Sequence, residues 1–241
     1  MEISMRDIDK LIIFEDGDIC VCHKPAGVLS QADRGLSEDL ASALMTHERR
    51  NGVKMPFIAP VNRLDRPVEG LVLYAKSSKM AAALTKQLTA GEVDKCYYAV
   101  VEGIAEAQGT ITLTDYLAKD ASCNMSVVVN SDTANAKKAV LEYKALGSVG
   151  GRTLIRVKLH TGRHHQIRVQ LSHAGLPIVG DAKYNPPAAS SNGRNNLALC
   201  SYRLAFRHPR SGKQLAYEIK PNGEAFNDFI GFFDRLDSKI H

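Results

Sequence analysis

A carboxylate set between two guanidinium groups is the first place where this sequence could do chemistry: Asn62-Arg63-Leu64-Asp65-Arg66-Pro67, directly ahead of an apolar run, Gly70 to Ala75. Neighbouring positive charge favours the ionised form of Asp65, and a positioned carboxylate can attack as a nucleophile or take a proton. The same spacing also fits a surface ion-pair cluster at a turn. A second donor-rich segment runs Leu159-His160-Thr161-Gly162-Arg163-His164-His165-Gln166-Ile167-Arg168, where a strand leads through a glycine turn into a helix. Helix N-termini with clustered Arg and His suit phosphates and base edges. The histidines raise the question of a metal, but His160, His164, His165 and His173 match no familiar tetrahedral set, with no cysteine or acid beside them. No metal is expected.

A third segment, Lys95-Cys96-Tyr97-Tyr98-Ala99-Val100-Val101-Glu102-Gly103, reads as a strand. Its tyrosines are ordinary packing residues unless the Tyr97 ring lines a cleft, where it could stack on a flipped base. The fourth, Lys24-Pro25-Ala26-Gly27, is by itself only a turn.

The elements that must position these residues follow from pattern and punctuation. A strand at Ile12–Phe14, an acidic turn and a strand Ile19–Cys22 open the chain, and Pro25 and Gly27 end the pairing. Ser37 is the expected cap of a helix reaching about Glu48, with Glu38 and Asp39 in its first turn. Gly70–Ala75 is a short buried strand. Ser77 or Ser78 caps a helix with an apolar stripe of Met80, Ala83, Leu84 and Leu88, which Gly91 ends. Strands are expected at 95–102, 110–113, 126–129, 139–145 and 153–159, and a helix around Ile167, Leu171 and Ala174, closed by Gly175 and Pro177. An exposed loop at 185–196, strands at 197–206 and 214–219 and a helix from about Glu224 complete the chain. Strands outnumber helices and often follow one another directly. That predicts an α+β fold with a mixed, mostly antiparallel sheet and flanking helices.

Composition bounds the rest. With 241 residues, 44% hydrophobic and 24% charged, the chain is an ordinary globular mixture. It has no apolar run of membrane-spanning length, and its N-terminus lacks a signal-peptide pattern, so a cytoplasmic protein with no membrane association is expected. The five scattered cysteines read as small buried hydrophobes in a reducing compartment. A net charge of +5 is compatible with a polyanionic partner, although only clustering on one face would make it informative.

Taken in order, the four segments resemble the RluA-type pseudouridine synthases. The strand ending in Lys24-Pro25-Ala26-Gly27 is similar to that family's first motif, and Asn62 to Lys76 to its catalytic motif, usually written His-Arg-Leu-Asp-x-x-Thr-Ser-Gly. Lys95-x-Tyr97-x-Ala99-x-Val101-x-Gly103 is similar to the tyrosine motif, and Thr161 to Leu171, continued by Pro177-Ile178-Val179-Gly180-Asp181-x-x-Tyr184, to the arginine motif. The likeness runs from about residue 11 to 220. Two departures stand out: Asn62 replaces the usual His and cannot take a positive charge, and Val68-Glu69 replaces Thr-Ser, adding a second carboxylate.

The resemblance implies one catalytic domain over 1–241, with a central RNA-binding cleft and no appended N-terminal RNA-binding domain. It implies an enzyme that isomerises uridine to pseudouridine in a structured RNA, ribosomal or transfer. Asp65 would attack the ribose or abstract one of its protons, Arg168 would pair with Asp65, and Tyr97 would stack on the uracil. Arg63 would fill the gap left by the flipped base; Asn62, Lys24, Arg163, His165 and Gln166 would hold the RNA or the motif's own loop. Bond exchange within one nucleotide needs neither a redox cofactor nor a metal, and nothing requires more than a monomer. Two other classes fit parts of the sequence: an RNA-binding protein that has lost catalysis, against which Asp65, Tyr97 and Arg168 stand together, and a glycoside hydrolase using Asp65 and Glu69, which leaves the arginine and tyrosine motifs unexplained.

Overall fold

The computed structural model describes residues 5–32, 39–105, 109–185 and 197–237. A short helix, α1 (Met5–Leu11), precedes the hairpin of β1 (Ile12–Glu15) and β2 (Ile19–Lys24). The Asp16 carboxylate shapes the hairpin turn by accepting the N–H groups of Asp18 and Ile19 at 2.8 and 2.9 Å. Helix α2 (Leu40–Arg50) is capped by Asp39, which accepts the Ser42 N–H at 3.0 Å. The cap is therefore Asp39 itself; Ser37 and Glu38 lie outside the described residues. Next come β3 (Ala59–Pro60), β4 (Glu69–Ala75), buried along its whole length, and α3 (Ser78–Thr89), capped by Ser77. Gly91, at φ +76°, ends α3 as expected.

The strands β5 (Asp94–Glu102), β6 (Ile111–Asp120), β7 (Met125–Val129), β8 (Lys137–Val149) and β9 (Arg152–Leu159) follow one another with no intervening helix among the described residues. Both β6 and β8 are longer than the apolar runs that marked them, because polar residues alternate along their half-buried ends. Then come α4 (Gln166–His173), β10 (Leu199–Arg207) and β11 (Gln214–Glu218). The C-terminal helix begins as a 3₁₀ segment (Glu224–Phe229) before α5 (Ile230–Asp237). Of the expected loop at 185–196, only Asn185 is described, and it is buried rather than exposed, donating to the Ile178 carbonyl.

The chain divides into two compact units, Met1–Lys95 with Ser201–Ile219 and Cys96–Cys200 with Lys220–His241. In the first, β2 pairs antiparallel with β1 and β4, and β10 with β11. Ile19, Val21, Leu71, Leu73, Leu204 and Phe206 join Met80 and Leu84 of α3 in its core. Gly70 is required where β4 passes β10: its φ is +132°, and a Cβ there would lie 2.5 Å from the Ser201 backbone.

In the second unit the order is β5-β9-β8-β6-β7, with every pairing antiparallel. Tyr97, Ala99 and Val101 share one face with Val157, Ile155 and Thr153. Val169 of α4 packs with Leu117 and Ala139, while Tyr98 meets Phe233 with ring centroids 5.0 Å apart. The fold is thus α+β, as expected. All five cysteines are free; four are buried as expected, but Cys123, in the turn between β6 and β7, is exposed, and Cys20 and Cys22 lie side by side with their sulfurs 3.4 Å apart. Among the described residues, no helix is long and apolar enough to cross a membrane.

Candidate active site

The aspartate loop, 61–68, belongs to the first unit and is hung on β4 by backbone-directed bonds. Asn62 is buried and acts as a substitute strand partner: its Oδ1 accepts the Leu73 N–H at 2.8 Å and its Nδ2 donates to the Leu71 carbonyl at 3.2 Å. Ser30 holds Leu64 from both sides, accepting its N–H at 3.1 Å and donating to its carbonyl at 3.2 Å. The Val68 N–H closes the turn on the Asp65 carbonyl at 3.0 Å. Asp65 is left partly exposed at this turn, with Arg63 and Arg66 exposed beside it.

Beneath the turn sits Lys24, with no exposed surface. Its ammonium donates to the carbonyls of Val28 (2.7 Å), Pro25 (3.0 Å) and Arg66 (3.2 Å). The Arg66 carbonyl also accepts the Gly27 N–H at 2.7 Å, and Arg66 Nε returns a bond to the Gly27 carbonyl at 2.9 Å. The Lys-Pro-Ala-Gly turn is therefore the floor of the aspartate loop. Burial pushes the Lys24 pKa down from 10.5 to about 7, against the opposing pull of the Asp65 and Glu69 charges. Glu69 is itself buried, with His23 Nε2 3.8 Å from its carboxylate.

The arginine segment belongs to the second unit. Gln166, buried at the start of α4, knots the preceding loop: its Oε1 accepts from Thr161 Oγ1 (2.7 Å) and the Arg163 N–H (2.9 Å), and its Nε2 donates to the Val140 carbonyl (3.1 Å). His165 precedes the helix in the left-handed region at φ +53°, buried and stacked on His164 at 3.8 Å. Arg163 is exposed and donates from Nε to the Lys138 carbonyl at 2.9 Å.

Arg168 is 4% exposed, and Asp181, at 1%, grips it bidentately at 2.8 and 2.7 Å. The Tyr184 ring lies 5.1 Å from the guanidinium carbon. Tyr97 is buried on β5, on the face it shares with Val157. Asp181 and Tyr184 are the residues that no reading of Arg168 alone could supply; the only signal for them was the Gly180-Asp181-x-x-Tyr184 continuation. Of the expected site residues, Asn62, Arg63 and Asp65 lie in the aspartate loop with Lys24 at the end of β2 in the first unit, while Arg163 and His165 before α4, Gln166 and Arg168 on it, and Tyr97 on β5 lie in the second. Lys24, Asn62 and Gln166 spend the hydrogen bonds described above on the protein's own backbone and loops.

Two acid–histidine groups in the first unit have the compactness of a metal site: Glu15, His47 and Glu48, and Asp16, Asp18 and His208. Each is engaged by a basic side chain, Lys76 in the first and Arg210 at Asp18 in the second. Lys76 bridges Glu15 and Glu48 at 2.9 and 2.8 Å. His208 Nδ1 accepts two backbone N–H groups, from Arg210 and Ser211, which leaves the ring proton on Nε2, directed at Asp16.

The RNA pseudouridylate synthase family profile matches residues 18–173, which include the aspartate loop, β5 and the arginine helix. The chain belongs to this family and is an isomerase acting on uridines in RNA. An RNA pseudouridine synthase of Bacillus subtilis is 34% identical over 90% of this chain and 71% of its own length. Ribosomal large subunit pseudouridine synthase D of Pseudomonas aeruginosa is 35% identical over 88% of this chain and 68% of its own, and tRNA pseudouridine synthase C of Pasteurella multocida 29% over 95% and 98%. Among solved structures, human RNA pseudouridylate synthase domain containing 4 superposes with a TM-score of 0.73 at 20% identity, covering 97% of this chain and 95% of its own.

Proposed function

We propose that this chain acts over residues 1–241 as one catalytic domain. In this reading it converts uridine to pseudouridine in ribosomal or transfer RNA, with Asp65 as the catalytic carboxylate. The observation that carries it is the Asp65 turn: a partly exposed carboxylate on a loop whose backbone is pinned by Lys24, Gly27, Ser30 and Asn62. Such a loop presents one charged group to a substrate while fixing its direction. The relatives named for large-subunit ribosomal RNA and for tRNA support the substrate class.

In the reaction the bond between uracil N1 and ribose C1′ breaks, with Asp65 acting on the ribose as nucleophile or base. The detached uracil turns, C5 bonds to C1′, the C5 proton leaves and N1 gains one. Atoms and charge balance without a redox partner, and the reading calls for no cofactor or metal. Tyr97 stacks on the uracil, and Arg168 serves as the fixed cation of the reaction. A base buried in a helix must leave its stack to be reached; exposed Arg63 fills the gap, and exposed Arg163 contacts the RNA backbone. Asn62, Lys24, His165 and Gln166 serve by holding the two loops. The protein works as a cytoplasmic monomer.

Release of tritium from RNA labelled at uracil C5 tests the reading. The wild-type protein releases label from cellular RNA, and Asp65→Asn does not. Absence of release from every ribosomal and transfer RNA pool, or release by Asp65→Asn at the wild-type rate, overturns it.

A further inference from the structure

Arg168 is held from two directions by one short stretch of chain. Asp181 takes its Nε and Nη2 in the guanidinium plane, at 2.8 and 2.7 Å. A fork of this kind fixes the edge of the group but still lets the plane tilt about it. The Tyr184 ring, 5.1 Å from the guanidinium carbon, limits that tilt. Carboxylate and ring are built as one unit, since Asp181 Oδ1 also accepts the N–H groups of Lys183 (3.0 Å) and Tyr184 (3.1 Å).

Tyr184 is also anchored at its far end. Its hydroxyl accepts the Ser126 N–H of β7 at 2.8 Å and shares a hydrogen bond with His165 Nδ1 at 2.9 Å. Its carbonyl accepts from Ser172 Oγ of α4 at 2.8 Å. A ring held at backbone and hydroxyl cannot slide or swing. The second partner of that hydroxyl, His165, sits at φ +53°, a conformation uncommon for a non-glycine residue.

We propose that Tyr184 is a positioning residue for the isomerisation: its ring sets the plane of the Arg168 guanidinium, and its hydroxyl ties that plane to β7 and to the turn before α4. Five N–H donors lie in that plane, so fixing it fixes the direction of every donor that Asp181 does not take. The inference rests on Arg168 being the cation of the reaction.

Single-turnover kinetics on a substrate RNA separate the two ideas. Tyr184→Phe keeps the ring and loses the hydroxyl, and lowers the rate of the chemical step roughly 10-fold. Tyr184→Leu loses both and lowers it about 100-fold, while the RNA concentration for half-saturation stays within about twofold. In an Arg168→Lys background, which has no guanidinium plane to hold, Tyr184→Leu changes the rate by less than about twofold. Equal cost in both backgrounds, or a loss confined to RNA affinity, overturns the proposal. Should Tyr184→Leu fail to melt cooperatively, Tyr184→Phe decides: a folded variant with the wild-type rate overturns it. Full activity in Arg168→Lys alone overturns the reading of Arg168 and the inference with it, whereas an impaired Arg168→Lys beside unaffected Tyr184 variants overturns the inference alone.

Discussion

The two loops that carry the expected chemistry are held in opposite ways. Around Asp65 the bonds converge on the backbone: the Asp65 carbonyl takes the Val68 N–H, and the Arg66 carbonyl takes Gly27 N–H and the Lys24 ammonium, while the side chain stays partly exposed. Around Arg168 they converge on the side chain, with Asp181 in plane and Tyr184 on its face, and almost no surface remains. The difference follows from solvation. A buried guanidinium must be paired, because leaving it unsatisfied is costly. A carboxylate that must meet a substrate can keep some water until the substrate replaces it. The two residues therefore differ in the surface they leave for a substrate: Asp65 keeps part of its own, and Arg168 almost none.

That comparison breaks if the two acids behave alike. Asp65→Asn is expected to lower the isomerisation rate by roughly 10⁴-fold or more, read by tritium release. Asp181→Ala is expected to destabilise the protein by about 3–5 kcal/mol, since it leaves a buried cation without its bidentate partner; urea titration measures it. An Asp181→Ala variant as stable as wild type would mean that Arg168 relaxes into water and that its burial is incidental.

Much of this was legible in the sequence, and the illegible part has a common cause. Residue types at close spacing gave the aspartate and arginine motifs, a serine cap at 77 or 78, of which Ser77 is the one used, and the Gly91 stop. Helix α1 was missed because about two turns carry too little periodicity to register. Asp39 rather than Ser37 caps α2 because a carboxylate caps as well as a hydroxyl, and local pattern does not rank the two. The burial of Lys24 was illegible because its acceptors, Val28 and Arg66, come from two loops that only folding joins. Gripping of Arg168 by Asp181 and Tyr184 is another tertiary fact, visible beforehand only as a motif without a role.

Lys24, beneath the aspartate loop, makes stability depend on pH. Its folded pKa of about 7 lies below the ordinary 10.5, so between those values the unfolded chain binds more protons. Unfolding free energy from this group therefore rises as pH increases from about 7 towards 10.5, by up to about 5 kcal/mol, and is flat below 7. Lys24→Met is expected to remove that rise, which urea titrations across the window measure. Asn62→Ala comes next, at about 1–3 kcal/mol, because Leu73 N–H and the Leu71 carbonyl lose their partner inside the protein.

The smallest effect on stability, and the one that separates holding the loop from holding the RNA, is expected at Arg63. Arg63 and Arg66 are both exposed and flank the same carboxylate, but Arg66 Nε is tied to the Gly27 carbonyl at 2.9 Å. Arg63→Ala should leave unfolding free energy within about 0.5 kcal/mol of wild type, yet weaken RNA binding. The salt dependence of that binding says how. If Arg63 contacts a phosphate, its loss lowers the slope of log affinity against log salt by about 0.7–0.9. If it fills the space left by a flipped base, the slope holds, and the loss shrinks on an RNA whose target uridine is already unpaired, because less stacking has to be replaced.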